Sequence, residues 1–136
     1  MGDYLIRLFR GFGYSVRQDR AGKAIGGDCG NIYISIPGKI RKAPCILLNA
    51  HIDTVVPGKK IRPRVRKGVV VSDGSTVLGA DDKAGVTAIV EAIRTLREKR
   101  IPHGDVQIIF TVAEEIGLRG AKQVNPKWIR AKWGYA

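Results

Sequence analysis

Apolar positions recur at helical spacing near the start of the chain, where Tyr4, Leu5, Leu8, Phe9 and Phe12 mark one face of a helix over residues 3–12. Gly11 and Gly13 end it. Residues 14–19 predict a strand and residues 20–23 a turn, while residues 24–30 hold too many glycines to form an element. Alternation of Ile32, Ile34 and Ile36 with Tyr33 and Ser35 predicts a half-buried strand over residues 31–37. A turn over residues 38–44 leads into an apolar run, Cys45 to Leu48, that predicts a central strand continuing to Ala50 and delivering His51 at its end. Residues 62–66 and 69–72 predict a short two-stranded excursion turned by Lys67-Gly68, with a second turn at Asp73-Gly74. Val86, Ile89, Val90, Ile93 and Leu96 then set a helix that runs through Arg100 and is stopped by Pro102. A second buried strand follows over residues 106–112 and runs into Glu114. Residues 117–123 predict another helix, and residues 124–136, which hold both tryptophans, predict no single element.

Length and composition fit one domain: 136 residues with 44% hydrophobic content can bury a core of modest size. No apolar run approaches the ~20 residues that span a bilayer, and no charged-then-apolar leader with a cleavage site is expected. Cys29 and Cys45 are too few for a disulfide framework and fit no zinc-finger spacing, so the expectation is a reduced, cytoplasmic protein without a membrane partner. The charge balance is strongly basic, with 24 Lys and Arg against 12 Asp and Glu. Part of the excess lies in Lys59 to Lys67 and part in Lys127 to Lys132, where Trp128 and Trp133 stand beside it. Basic residues interleaved with aromatics can follow a phosphate backbone and stack on bases, which makes a basic nucleic-acid-binding protein one alternative. The favoured reading is a solvated edge, with Arg62, Arg64 and Arg66 on the outward face of a short strand, because no nucleic-acid motif accompanies the charge.

Candidate chemistry sits where apolar runs stop. His51 and Asp53 follow the first central strand, Asp81 and Asp82 precede the long helix, and Glu114 and Glu115 follow the second central strand. Open α/β sheets place ligands at the C-terminal ends of their strands. Burying several carboxylates together is costly without a cation, and the mixture of imidazole and carboxylate points to zinc, with cobalt or manganese as substitutes. Each pair alone has a plainer explanation: a His-x-Asp hydrogen bond, an Asp82 helix cap, or a solvated Glu-Glu helix start. Their joint occurrence, in order and each at the end of an element, favours a metal site.

The strings NAHIDTVVPG, LGADDKAG and FTVAEEIGLRGAK resemble the dinuclear zinc exopeptidases of the peptidase T branch, and the likeness runs from about Asp3 to Tyr135. The resemblance implies a three-layer α/β/α catalytic domain with a mixed central sheet, represented by residues 1–136 in a form truncated at both ends. The lid and dimerisation domain and the C-terminal part of the catalytic domain would be absent. It implies that His51, Asp81 and Glu115 bind metal, with Asp81 bridging two zinc ions, and that Asp53 orients His51. It also implies that Glu114 is the general base for a metal-bridged water that cleaves the peptide bond. The peptide bond between Asp81 and Asp82 would be cis. The implied partners are a short peptide substrate and, for the complete enzyme, a second subunit. Cleavage of a non-peptide amide or a carboxypeptidase polarity stays open. His103, in a helix-to-strand connection, is not expected to be a ligand. Three ligands cannot close two coordination spheres, so the expectation for this chain by itself is weak metal binding without useful turnover.

Overall fold

In the computed structural model, which describes residues 1–136, the alternating isoleucines of residues 32–36 find apolar partners on the neighbouring strands. The elements are α1 (Gly2–Gly11), β1 (Ser15–Gln18), α2 (Ala21–Ile25), β2 (Ile32–Ile36), β3 (Ile46–His51), β4 (Arg64–Arg66), β5 (Val69–Val71), α3 (Ala80–Glu98), β6 (Val106–Thr111) and β7 (Trp133–Tyr135). Five strands form one sheet in the order β1-β2-β6-β3-β7. The β1–β2 and β2–β6 pairs are antiparallel, whereas β6–β3 and β3–β7 are parallel. This is the mixed central sheet of an α/β fold, as the family resemblance implies.

Register decides which side chains share a face. Ile32, Ile34 and Ile36 pair with Phe110, Ile108 and Val106, which pair in turn with Ala50, Leu48 and Ile46 on β3. Period-two alternation sends these rows to one side of the sheet, where they join Leu5 and Phe9 of α1 and Val86, Ile89, Val90 and Ile93 of α3 in a single buried cluster. Phe9 meets Phe110 with ring centroids 6.0 Å apart. Burying a large apolar side chain of this kind contributes about 1.5–3 kcal/mol, so the two long helices are held to this face chiefly by their apolar stripes.

The opposite face carries Tyr33, Gln107, Ile109 and Thr111 and is crossed by the chain around Trp128. The Trp128 ring stands edge-on to Tyr33 at 4.8 Å. Gln107 donates to the Trp128 carbonyl and accepts from the amides of Arg130 and Ala131. One buried amide therefore fixes the segment for which the sequence predicts no element, and the chain after it adds β7 to the edge of β3.

Three expectations need correction. Residues 21–25 form the short helix α2 where a turn and a glycine-rich stretch are predicted. Gly22 is required there by packing, because a Cβ would meet the Cys29 carbonyl oxygen at 2.3 Å. The helix expected over residues 117–123 shrinks to a single 3-10 turn, Ala121–Gln123, since Gly117 and Leu118 take left-handed φ values of 93° and 58°. The two-stranded excursion forms as expected, β4 pairing with β5, but the single outward face expected for Arg62, Arg64 and Arg66 is corrected: the hairpin pairs only with itself and Val65 is 73% exposed, so both of its faces meet solvent.

A polar network pins α2 to the sheet. Asp19 accepts from the amides of Ala21 and Asn31, from the Asn31 side chain and from the Tyr33 hydroxyl at 3.0 Å. Burial, reinforced by the hydrogen bond and charge of Asp19, pushes the Tyr33 pKa from 10.0 up to about 12. The folded protein keeps this proton where the unfolded chain releases it, so the associated stability is present below pH 10 and is lost as pH rises towards 12. Urea denaturation midpoints should therefore fall more steeply across that interval for the parent protein than for Tyr33→Phe; equal slopes would contradict the assignment.

Candidate metal centre

Parallel pairing brings the ends of β3 and β6 out of the sheet side by side, with His51 opposite Thr111. The Ile52 amide donates to the Thr111 carbonyl and extends the pairing one step past His51. Beyond that point the two chains are joined through Asp53. Its carboxylate accepts the Glu114 amide at 3.1 Å on one oxygen and the Glu115 amide at 3.2 Å on the other. Its backbone carbonyl lies 3.2 Å from Nδ1 of His51. A carbonyl only accepts, so this hydrogen bond requires the proton on Nδ1, and in the neutral ring, the form that can bind a metal, it leaves the Nε2 lone pair facing outward.

The third contribution comes from the start of α3. Asp81 and Asp82 have non-helical backbone angles and are joined by a cis peptide bond. The regular helix begins after them, and Asp82 Oδ1 caps it by accepting the Gly85 amide at 2.9 Å. Asp82 thus has the capping role that the sequence suggests, and Asp81 is turned towards the strand ends. Its Oδ1 lies 3.0 Å from Nε2 of His51. Lys83, next in the chain, donates to the Ile52 carbonyl at 3.1 Å and so ties the helix start to β3. Burial lowers the Lys83 pKa, against the opposing pull of Asp53, Asp82 and Glu115.

Ligand-type atoms of His51, Asp81 and Glu115 all lie within 4.8 Å of one another. Glu114 approaches the same point, with Oε2 3.8 Å from His51 Nε2. Partial burial of His51 works against a charged ring, but the hydrogen bond with Asp81 and the charges of Asp53 and Glu114 outweigh it and raise its pKa above 6.5. A divalent cation answers the same surplus of negative charge. The residues fit such an ion: one imidazole nitrogen with its lone pair outward, and two carboxylates of the hard-oxygen type that zinc accepts.

Four of the five sequence-predicted residues, His51, Asp81, Glu114 and Glu115, are brought to one opening, and the fifth, Asp53, is bonded to the His51 ring and to the Glu114 and Glu115 amides. His103 is elsewhere, in the connection between α3 and β6 with its ring on the Gly104 carbonyl. The expectation of closely buried carboxylates is corrected: the Asp81 side chain is 84% exposed and that of Glu114 37%, while His51 is 10% exposed. The carboxylates therefore crowd together at a solvent-facing rim. Sequence reasoning missed Lys83, which is read there only as part of an acidic helix start although a positive charge directly after two aspartates is a usable signal. It also missed a cleft of about 580 Å3 beside the centre, walled by Ile25, Cys29, Ile52, Val56, Val112 and Glu115 among others. The cleft is formed by residues distant in sequence, and nothing local announces it.

Residues 31–133 match the sequence profile of peptidase family M28. The chain is 43% identical over 132 residues to the uncharacterized protein YqjE of Bacillus subtilis, a match covering 97% of this chain and 35% of that one. It superposes on the crystal structure of aminopeptidase PepT from Bacillus cereus with a TM-score of 0.94 at 45% identity, covering 98% of this chain and 36% of that one. A tripeptidase from Staphylococcus aureus gives the same TM-score of 0.94 at 40% identity, again covering 98% and 36%. The chain thus spans about a third of the length of these relatives. The profile takes in both strand-end motifs and the helix start between them, and on that match the chain belongs to peptidase family M28.

Proposed function

We propose that residues 1–136 form part of the catalytic domain of a metallopeptidase acting on short peptides, with His51, Asp81 and Glu115 as ligands of a divalent metal ion, zinc by preference. The observation that carries this reading is the convergence of three donor atoms, from two strand ends and a helix start, within 4.8 Å. It is supported by membership of family M28 and by the likeness to an aminopeptidase and a tripeptidase.

A bound zinc ion would supply a Lewis acid that polarises a carbonyl and acidifies adjacent water. The chain's own residues divide the remaining work. Asp53 fixes the tautomer and orientation of His51 through its carbonyl, and its carboxylate holds the backbone from which both glutamates project. Consecutive side chains leaving a strand end diverge, so Glu115 can serve as ligand while Glu114 faces substrate. Glu114 stands at the opening, where it takes a proton from the attacking water and passes it to the leaving amine. Lys83 keeps Asp81 in reach of His51 by anchoring the helix start on the Ile52 carbonyl. Three donors suit one ion with an open position, and a second ion would need donors beyond these.

In a cobalt titration the parent chain should bind weakly, and His51→Ala or Glu115→Ala should lower the affinity by about tenfold or more. His103→Ala should bind as the parent does. Equal losses in all three variants would show that the binding is not at this centre. For peptide cleavage, any cobalt-dependent hydrolysis of a tripeptide by this chain should be slow and should disappear in Glu114→Gln, with metal affinity kept within about threefold. Undiminished hydrolysis by Glu114→Gln would remove the general-base role.

A further inference from the structure

The loop that carries Glu114 and Glu115 leaves the sheet at Val112, and its far end, Gly120, comes back against Val112. Its interior is closed by its own backbone: the Ala113 carbonyl accepts from Arg119, and the Glu114 carbonyl accepts from Gly117 and Leu118, each at 2.9 Å. These bonds shape the turn without fixing it to the protein. The attachment at its base is a single side chain. The pairing of β2 with β6 ends at Ile32 and Phe110, so the Val112 amide has no strand partner. Asn31, the residue before β2, supplies one with its Oδ1 at 3.1 Å. The Nδ2 of the same amide donates to the Gly120 carbonyl at 2.9 Å.

Asn31 is fully buried, and its amide cannot turn over. Nδ2 faces two acceptors, the Asp19 carboxylate at 2.8 Å and the Gly120 carbonyl, whereas Oδ1 faces a donor. Reversing the amide would set oxygen against oxygen twice and nitrogen against the Val112 amide. The backbone amide of Asn31 is bound by Asp19 as well, at 2.8 Å. Gly120 completes the closure, because a Cβ there would lie 2.0 Å from the Val112 oxygen and 2.9 Å from Asn31 Oδ1. Both ends of the loop are thereby pressed together around one amide group.

We infer that Asn31 is a positioning residue for the metal centre: its side chain clamps Val112 to Gly120 and so sets where Glu115 meets His51 and Asp81. The inference rests on the metal-site reading proposed above. Asn31 touches neither metal ligands nor Glu114 and acts only through the loop. Asp53 grips the same loop at the Glu114 and Glu115 amides, so the loop is held at two points, by the residue before β2 and by a residue just past β3.

The test compares Asn31→Leu and Gly120→Ala with the parent and with Ile34→Ala, a core truncation that lowers stability without touching the loop. Gly120→Ala reaches the clamp from the opposite side and serves if Asn31→Leu does not fold. Amide hydrogen exchange is read at Glu114, Glu115 and Arg119 relative to Ile89–Ile93 of α3, and cobalt affinity by titration. In both clamp variants the loop amides should exchange about tenfold faster relative to the helix. Cobalt affinity should fall by about tenfold or more. Ile34→Ala should leave both ratios near those of the parent. Loop amides unchanged in the clamp variants, or an equal response in Ile34→Ala, would overturn the inference. A parent that binds no cobalt while the clamp variants still loosen the loop would sustain the clamp and defeat the metal reading alone.

Discussion

Asp53 makes a two-sided contact on which the centre depends. Its backbone carbonyl orients the His51 ring and its carboxylate holds the amides of Glu114 and Glu115. The contact is available only because β3 and β6 run parallel and adjacent, so that their ends emerge together and their continuations can be bridged by one short side chain. Antiparallel neighbours would have sent the two motifs to opposite edges of the sheet. The buried rows of Ile, Val and Phe that align these strands are therefore as much a part of the site as its polar groups.

Exposure rises from Asn31 through His51 to Asp81. At the base, Asn31 is wholly buried and all its polar atoms are bound. His51 lies above, mostly covered, and Asp81 stands at the rim, mostly open. Such a gradient suits a site whose donors must be held in place while one side stays accessible. The rim is acidic although the chain as a whole carries a net charge of +12. The excess of basic residues lies partly on the β4–β5 hairpin, where Arg64, Arg66 and Lys67 are exposed and outside the main sheet.

Much of this was legible beforehand because it is local. The stripe Val86, Ile89, Val90 and Ile93 is a helical face in sequence and in space, and the alternation of Ile32, Ile34 and Ile36 is a strand in both. The acidic pairs could be located because each follows or precedes a strong element. What escaped depends on partners far along the chain. Asn31 bonds to Val112 and Gly120 across separations of 81 and 89 residues, and no pattern around Gly30-Asn31 points to either. Gln107 likewise interrupts an apolar strand for a reason found only at Trp128 and Arg130. The α2 helix was obscured by its glycines, one of which is demanded by the close passage of Cys29. The helix over residues 117–123 is lost for a different reason, since Gly117 and Leu118 take left-handed φ values and the turn is closed by its own backbone before Gly120 meets Asn31.

The central claim is spatial: one imidazole and two carboxylates, supplied by three separate elements, surround a common cation position. Crystals of this chain soaked in zinc and measured on both sides of the zinc absorption edge would test it most directly. The account predicts an anomalous difference peak in contact with His51 Nε2, Asp81 and Glu115. A peak confined to His103, Cys29 or Cys45, with none at the ends of β3 and β6, would contradict it.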